Sequence, residues 1–393
     1  MHVPPPPPHP PTVADSASAA RRPRRVLFVF AWLVVGGEET EVRLLARRLD
    51  AARYRLEVVA CLRKPNMPEQ THEQLAALGV PVDRTPYDLS FEDTVAYLAA
   101  KIARGGYDLI VACQAVPDIY PALARLAAPP PLIEHGGLVG EALAGPKERT
   151  ARYIGVCAAI RDAAARRMPG RPHHALAIPS MVDLAEFDPD DRDGVRREWG
   201  VGPDVPVVGW VGRLDRKKRV EDLVRAAALV REAGSAARFV VIGGPDAFMP
   251  EYAAELRALA GALGAGQALT FLGDRPDVPR LLAGLDIFVW LARDEGLPHV
   301  VAEAGAARLP VVATRDNGTL EQIADGRTGL FVPHEDPPAV AVALRQLLAD
   351  PALRGRLGAG LRQTVERAYS AAAVTRRWEA LFDEVLAEAA QGA

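Results

Sequence analysis

The sequence is short of cysteine, of positive charge and of long apolar runs, and each shortage closes a route. Three cysteines in 393 residues, Cys61, Cys113 and Cys157, stand far apart, each in or beside an apolar run. No CxxC or HExxH pattern occurs. This argues against a disulfide scaffold or a metal motif and predicts buried thiols in a reducing compartment. No GxGxxG occurs either, so a nicotinamide-dependent dehydrogenase loses its main support. The 47 Lys and Arg are outnumbered by 50 Asp and Glu, a net charge of -3 that leaves no basic footprint for nucleic acid. The apolar run in RRPRRVLFVFAWLVV follows basic residues as a leader peptide would, but it stops at Gly36-Gly37 with no small-residue cleavage site. It is also well short of the ~20 apolar residues of a membrane span. It reads as the first buried strand of a parallel sheet.

What is present is globular composition, 49% hydrophobic and 25% charged, in a chain long enough for two cores. The opening MHVPPPPPHPPTVADSASAARR cannot build one, and residues 1–23 are expected to be a disordered tail. Short apolar runs then alternate with helical patterns: VLFVF, LEVVACL, YDLIVAC, PLIEHGG and RYIGVCA first, then VPVVGWVGRL, ARFVVIGG, ALTFLG, LDIFVWLA and LPVVATR. Strand–helix repetition predicts parallel sheets with helices on both faces. Asp, Pro and Gly crowd Asp183–Asp204, where the repetition pauses, so the expected units are 24–184 and 205–371. The last helix, near Val374–Ala387, sets Trp378, Leu381, Phe382 and Val385 at helical spacing, a stripe that needs a surface to cover it. Two open parallel sheets side by side make a cleft, and ligands bind at the carboxyl ends of such strands.

Four places could put chemistry there. Gly36-Gly37 follows the first strand, where glycines let backbone approach a ligand, although a tight turn of positive φ would select the same residues. In VVGWVGRLDRKKRVEDLV, Arg213 and Lys218 follow a strand, a planar fork and a point charge suited to a diphosphate; Arg216, Lys217 and Arg219 read as solvated. In DEGLPHVVAEAGAARLPVVAT, Glu295 ends a loop and Glu303 lies just over one turn into a helix whose start brings the amides of Gly296, Leu297 and Val300 to the cleft. Carboxylates there accept hydrogen bonds from sugar or ribose hydroxyls. Glu303 sits among apolar and small residues, and a buried carboxylate needs a partner. His135, between a strand and two glycines, can donate or accept at neutral pH, as can a structural histidine. His299 shares the glutamate loop, where it either contacts ligand or stands in solvent, while His72, His173, His174 and His334 are read as loop or exposed helix.

Taken together, these segments resemble the retaining glycosyltransferases of family 4, which have the GT-B fold: two Rossmann-like parallel-sheet domains facing across a cleft, with a C-terminal helix crossing back. The resemblance runs from about Arg25 to Ala387. It is carried by GGEE, GRLDRKK, FVVIGG, EGLPHVVAEAGAARLPVVATRDNGTLEQI and DGRTGLFVP, most specifically by the paired glutamates. It implies that Arg213 and Lys218 grip a donor diphosphate and that Glu303 holds the ribose hydroxyls. It places Glu295 by the donor sugar, with the Gly296–Leu297 amides at the phosphate. His135 would face the reacting sugar from the first domain, Gly37 would line the phosphate site, and helix 372–390 would pack on the first domain.

The resemblance implies hexosyl transfer from a nucleotide sugar with retention, by front-face attack, with no metal and no cofactor, in the cytoplasm or at the inner membrane face. The donor base would be read through backbone near Phe271–Asp274, and the acceptor, whether sugar, lipid-linked sugar or small molecule, carries no readable code. Arg63 and Lys64 are candidates for its side of the cleft. The chain departs from the family pattern at Ser180-Met181-Val182-Asp183, at Trp290-Leu291-Ala292-Arg293, at Arg219 after Lys218, and in EAGA. A nucleotide-sugar epimerase and a silent nucleotide-sugar-binding protein share the architecture. The complete set of cations and glutamates favours the transferase.

Overall fold

The computed structural model describes residues 22–63, 67–187, 191–246 and 248–392. The proline-rich tail, apart from its last two residues, and Lys64 lie outside the described residues. Two parallel sheets form the frame. The first holds seven strands: β1 (Arg24–Phe30), β2 (Tyr54–Ala60), β3 (Val82–Asp83), β4 (Leu109–Cys113), β5 (Leu132–Gly136), β6 (Thr150–Gly155) and β7 (Ala175–Ala177). Their order is β3-β2-β1-β4-β5-β6-β7. The second holds β8 (Val207–Val211), β9 (Arg238–Ile242), β10 (Leu269–Gly273), β11 (Ile287–Trp290), β12 (Val311–Thr314) and β13 (Gly329–Val332), ordered β10-β9-β8-β11-β12-β13. In both sheets the order reverses beside the first strand, β1 against β4 and β8 against β11. That reversal opens a crevice at the carboxyl ends.

The strands form where they do because apolar runs covered on both faces cannot alternate. Val26–Phe30 and Leu109–Cys113 are buried without a break. The helix Phe91–Gly105, which no apolar run announces, starts at Ser90, whose side chain accepts from the Asp93 amide, and stops at the left-handed Gly106. The final helix, Ala371–Gly392, buries Val374, Trp378, Leu381, Phe382 and Val385 against the first sheet's core with Val26, Phe28 and Tyr54. Its apolar stripe is therefore covered by the first domain.

Asp183–Asp204 is not a bare connector. It carries the helix Arg192–Glu198, in which Val195 is buried and Arg192 and Arg196 reach Asp286 at 2.6 and 3.2 Å. Those contacts attach it to the second unit. Asp183, in one of the departures from the family pattern, is buried and meets Arg48 at 2.7 Å, which ties the connector to the helix Gly37–Arg48. Arg22 and Arg24 meet Asp108, and Arg25 meets Glu57, so these arginines do not stand as a free basic patch. No helix among the described residues is long and apolar enough to cross a membrane.

Candidate active site in the interdomain cleft

The second sheet contributes a cationic and carboxylate wall. Arg213 leaves the end of β8, where Gly212 has φ 154 and takes a backbone path that side-chained residues avoid. Arg213 Nε lies 2.9 Å from the buried Asp246, while nearly half its side chain stays exposed toward the cleft. Lys218 Nζ meets Glu295 Oε1 at 3.0 Å and lies 4.9 Å over the Trp290 ring, which stacks on Trp210. The departure at Trp290 is thus a platform that holds the ammonium. Arg219 is not solvated: it adopts φ 54 and is held by Glu221 and Asp222, both at 2.9 Å. Lys217 remains exposed and Arg216 pairs with the exposed Glu255.

The glutamate loop is fixed from behind. The Glu295 amide donates to Asp316 Oδ2 at 2.8 Å, and Gln322 Nε2 donates to the Pro298 carbonyl at 3.1 Å. The amides of Gly296 and Leu297 donate to no acceptor among the described residues, which leaves two donors at the mouth of the helix His299–Ala306. Val300 lies in that helix's first turn and is half-buried, and Glu303 follows one turn later. Protein encloses the Glu303 carboxyl, although the residue keeps some exposed surface. Burial pushes its pKa up to about 7, the Glu186 carboxylate adds to the rise, and Arg43 opposes it. Gly305, in EAGA, leaves no room for a side chain because Val365 and Leu361 pack on it.

From the first sheet comes His135, at the end of β5 and 4% exposed. Its Nδ1 faces Glu38 at 3.9 Å and its Nε2 faces Glu41 at 3.4 Å; the ring meets Trp378 edge-on at 5.4 Å. Burial lowers its pKa to about 4, so the imidazole is neutral at pH 7. Gly36 caps the helix Gly37–Arg48 with extended backbone at φ -155, and neither glycine lies in the left-handed region. A tight turn is therefore not what selects them. A side chain at Gly36 would strike the Glu39 carboxyl, and one at Gly37 would reach 3.2 Å from the His299 ring.

The two walls touch. Gly37 approaches His299, and a methyl group on Gly296 would run into the Gly137 carbonyl. The Ala158 amide donates to Glu321 at 2.6 Å. The two domains thus meet at three points beside the cleft. A cavity of about 370 Å³ bounded by Arg25, Arg55, Leu56, Glu57 and Pro81 lies at the amino ends of β1 and β2, away from this chemistry. Two readings of histidine change: His72 is buried and bonds the Tyr87 hydroxyl at 2.6 Å, and the His299 ring is enclosed, its pKa lowered to about 4 by burial and then by Arg43. Sequence reasoning missed Asp246, Asp316, Glu38 and Glu41. GGEE is legible as a motif, but nothing in its spacing shows that its two carboxyls, and Glu41 after them, turn inward.

A crevice of this kind between two such sheets defines the GT-B architecture. HepE of Anabaena, solved in complex with UDP and glucose, superposes with a TM-score of 0.77 at 19% identity, over 92% of this chain and 100% of that one. Residues 191–364 match the family described as glycosyl transferases group 1. The chain is 32% identical over 315 residues to the GDP-mannose-dependent alpha-(1-6)-phosphatidylinositol monomannoside mannosyltransferase of Mycolicibacterium smegmatis, covering 74% of this chain and 80% of the relative. It is 34% identical over 185 residues to the D-inositol 3-phosphate glycosyltransferase of Nocardia farcinica, covering 46% of this chain and 41% of the relative. The chain therefore belongs to the group 1 glycosyl transferases. The alignments with the inositol phosphate relatives span less than half of those proteins' length.

Proposed function

We propose that the protein transfers a sugar from a nucleoside diphosphate sugar to an acceptor hydroxyl with retention of anomeric configuration, and that no metal is needed at the diphosphate. The observation that carries this is that Arg213 and the Lys218–Glu295 pair stand on one wall, with Glu303 in the helix that follows the glutamate loop, while His135 is buried behind the other wall against Glu38 and Glu41. Arg213 and Lys218 neutralise the diphosphate as its charge grows, and the Gly296 and Leu297 amides add fixed dipoles in a closed, water-poor cleft. The C1–oxygen bond to the diphosphate breaks through an oxocarbenium-like state. The acceptor oxygen bonds to C1 from the same face, and its proton passes to the departing phosphate oxygen. Ionised Glu303 accepts hydrogen bonds from the ribose, and Glu295 accepts them from the sugar hydroxyls.

The base is read beside β10, where Asp274 Oδ1 accepts the Gly244 amide at 2.7 Å and Gly273 turns with φ 72. The acceptor binds the first domain. It is a sugar, a lipid-linked sugar or a small alcohol, and a lipid-linked one would bring the protein to a membrane surface without a spanning segment. Calorimetry with uridine and guanosine diphosphosugars on wild type and Glu303→Ala tests the donor site. Micromolar binding of one donor by wild type, much weakened in the variant, is expected. Absence of binding to both proteins would sink the reading. An epimerase would instead convert the bound donor without any acceptor.

A further inference from the structure

Behind the cleft, Glu38, Cys113 and His135 come together from the helix Gly37–Arg48 and the ends of β4 and β5. One ligating atom from each lies within 4.8 Å of the others, and all three residues are buried. Ordinary packing explains this poorly. The Glu38 Oε1, Glu41 Oε2 and His135 Nε2 atoms are enclosed and make no hydrogen bond, and the three residues that carry them are at least nine-tenths buried. No Lys or Arg pairs with Glu38 or Glu41 among the described residues. A buried carboxyl without a partner is costly, and so is a buried imidazole.

We propose that these three side chains hold a divalent cation of the zinc class. Thiol sulfur, imidazole nitrogen and carboxylate oxygen are the donor set that such a borderline cation takes, and three protein ligands leave a fourth position for water. Harder ions such as magnesium prefer oxygen alone. The surroundings supply what such a site also requires. The other Glu38 oxygen accepts from Gln114 Nε2 at 3.0 Å. With Nδ1 turned to Glu38, Nε2 of His135 faces Glu41, whose Oε1 accepts the Trp378 indole N–H at 2.7 Å. Partners of this kind fix the ring and orient the ligating carboxylate. The ion would tie the helix Gly37–Arg48 to two strand ends and, through Glu41, to the returning helix. It takes no part in the transfer step proposed above, and its presence can be tested without donor or acceptor.

The test uses the full chain, stripped with chelator and then given Zn²⁺ or Co²⁺. One equivalent of zinc should remain after dialysis, and cobalt should produce a thiolate charge-transfer absorption. Cys113→Ala should lose both, and Cys157→Ala, whose thiol lies elsewhere, should keep both. Glu41→Gln should bind about 10–100-fold more weakly, since it touches only the orienting partner. Zinc should also raise the melting temperature of wild type and leave Cys113→Ala unchanged, as mass action requires. Should Cys113→Ala fail to fold, Glu38→Gln gives the same readout. Sub-stoichiometric zinc in wild type, or a cobalt band that survives in Cys113→Ala, overturns the proposal.

Discussion

The two walls of the cleft solve the burial of charge in opposite ways. On the wall of the second domain the functional groups other than Glu303 already have a counter-charge or a hydrogen-bonded anchor: Lys218 with Glu295, Arg213 with Asp246, the glutamate loop with Asp316. On the wall of the first domain, Glu38, Glu39 and Glu41 are enclosed with no Lys or Arg ion pair among the described residues. Burial holds the Glu38 pKa well above the usual range and lifts Glu39 to about 7 and Glu41 to about 8. The lesson concerns preorganisation. A paired wall exchanges one partner for another when an anion arrives, at little reorganisation, whereas an unpaired wall stays neutral until protons leave or a cation comes.

The sharpest way to break the comparison is Lys218→Ala. Its ammonium sits at the centre of the paired wall, between Glu295 and the Trp290 ring. Loss of one such stabiliser of developing charge should lower kcat by about 10²–10³. It should leave folding nearly unchanged, since Glu295 then lies in a half-exposed loop free to take water. Steady-state transfer with the donor named by calorimetry, beside a urea melt, checks both halves. A variant that folds and turns over within a few-fold of wild type would remove Lys218 from the diphosphate.

Next in size is Gly296→Ala, which acts on the contact between the walls and on neither wall's charge. The added methyl would meet the Gly137 carbonyl, and Ile160 at 3.0 Å. Overpacking of this kind costs about 1–3 kcal/mol, charged here only to the closed form. The expected result is a kcat roughly 5–100-fold lower with the donor still bound, and a larger radius of gyration by small-angle scattering. An unchanged radius together with an unchanged kcat would mean that this contact does not gate closure.

How much of this was written in the sequence follows the same division. The paired wall is built from contiguous segments, so GRLDRKK and EGLPHVVAEAG carry it as readable strings. Helix and strand positions in that half follow from periodicity, as for Val220–Glu232. In the first half, Phe91–Gly105 carries a capping serine and a closing glycine yet follows no strand-like run, and it is easily passed over. The cluster around His135 is less legible still. Glu38, Cys113 and His135 are separated by long stretches of chain and meet only because β1, β4 and β5 are neighbours in the sheet. Spacing cannot show that adjacency. The burial of His72 was hidden for a related reason, since it depends on Tyr87 from another element, whereas Arg219 is held by Glu221 and Asp222 of the helix that it opens.

The smallest expected effect separates what Glu303 does for the fold from what it does for the donor. Its folded pKa of about 7 stands above the ordinary carboxyl value. Ionisation is therefore disfavoured in the native state, and stability is lost as pH rises from about 4.5 through 7. Glu303→Gln keeps the shape and cannot ionise. At pH 4 it should melt with wild type. At pH 8 it should be more stable, by on the order of 1 kcal/mol once the residue's partial exposure is discounted, or about 2–4 °C. Donor affinity should move the other way: on the proposed ribose contact it should strengthen in wild type as pH rises through 7, and in the variant that rise should vanish. A gain in apo stability joined to a loss of donor binding would mark Glu303 as a group held in an unfavourable state for its ligand. If the variant loses stability at pH 8, the carboxylate is instead paired in the native fold. The second domain's wall would then be paired at every charge, and the contrast between the two walls would be complete.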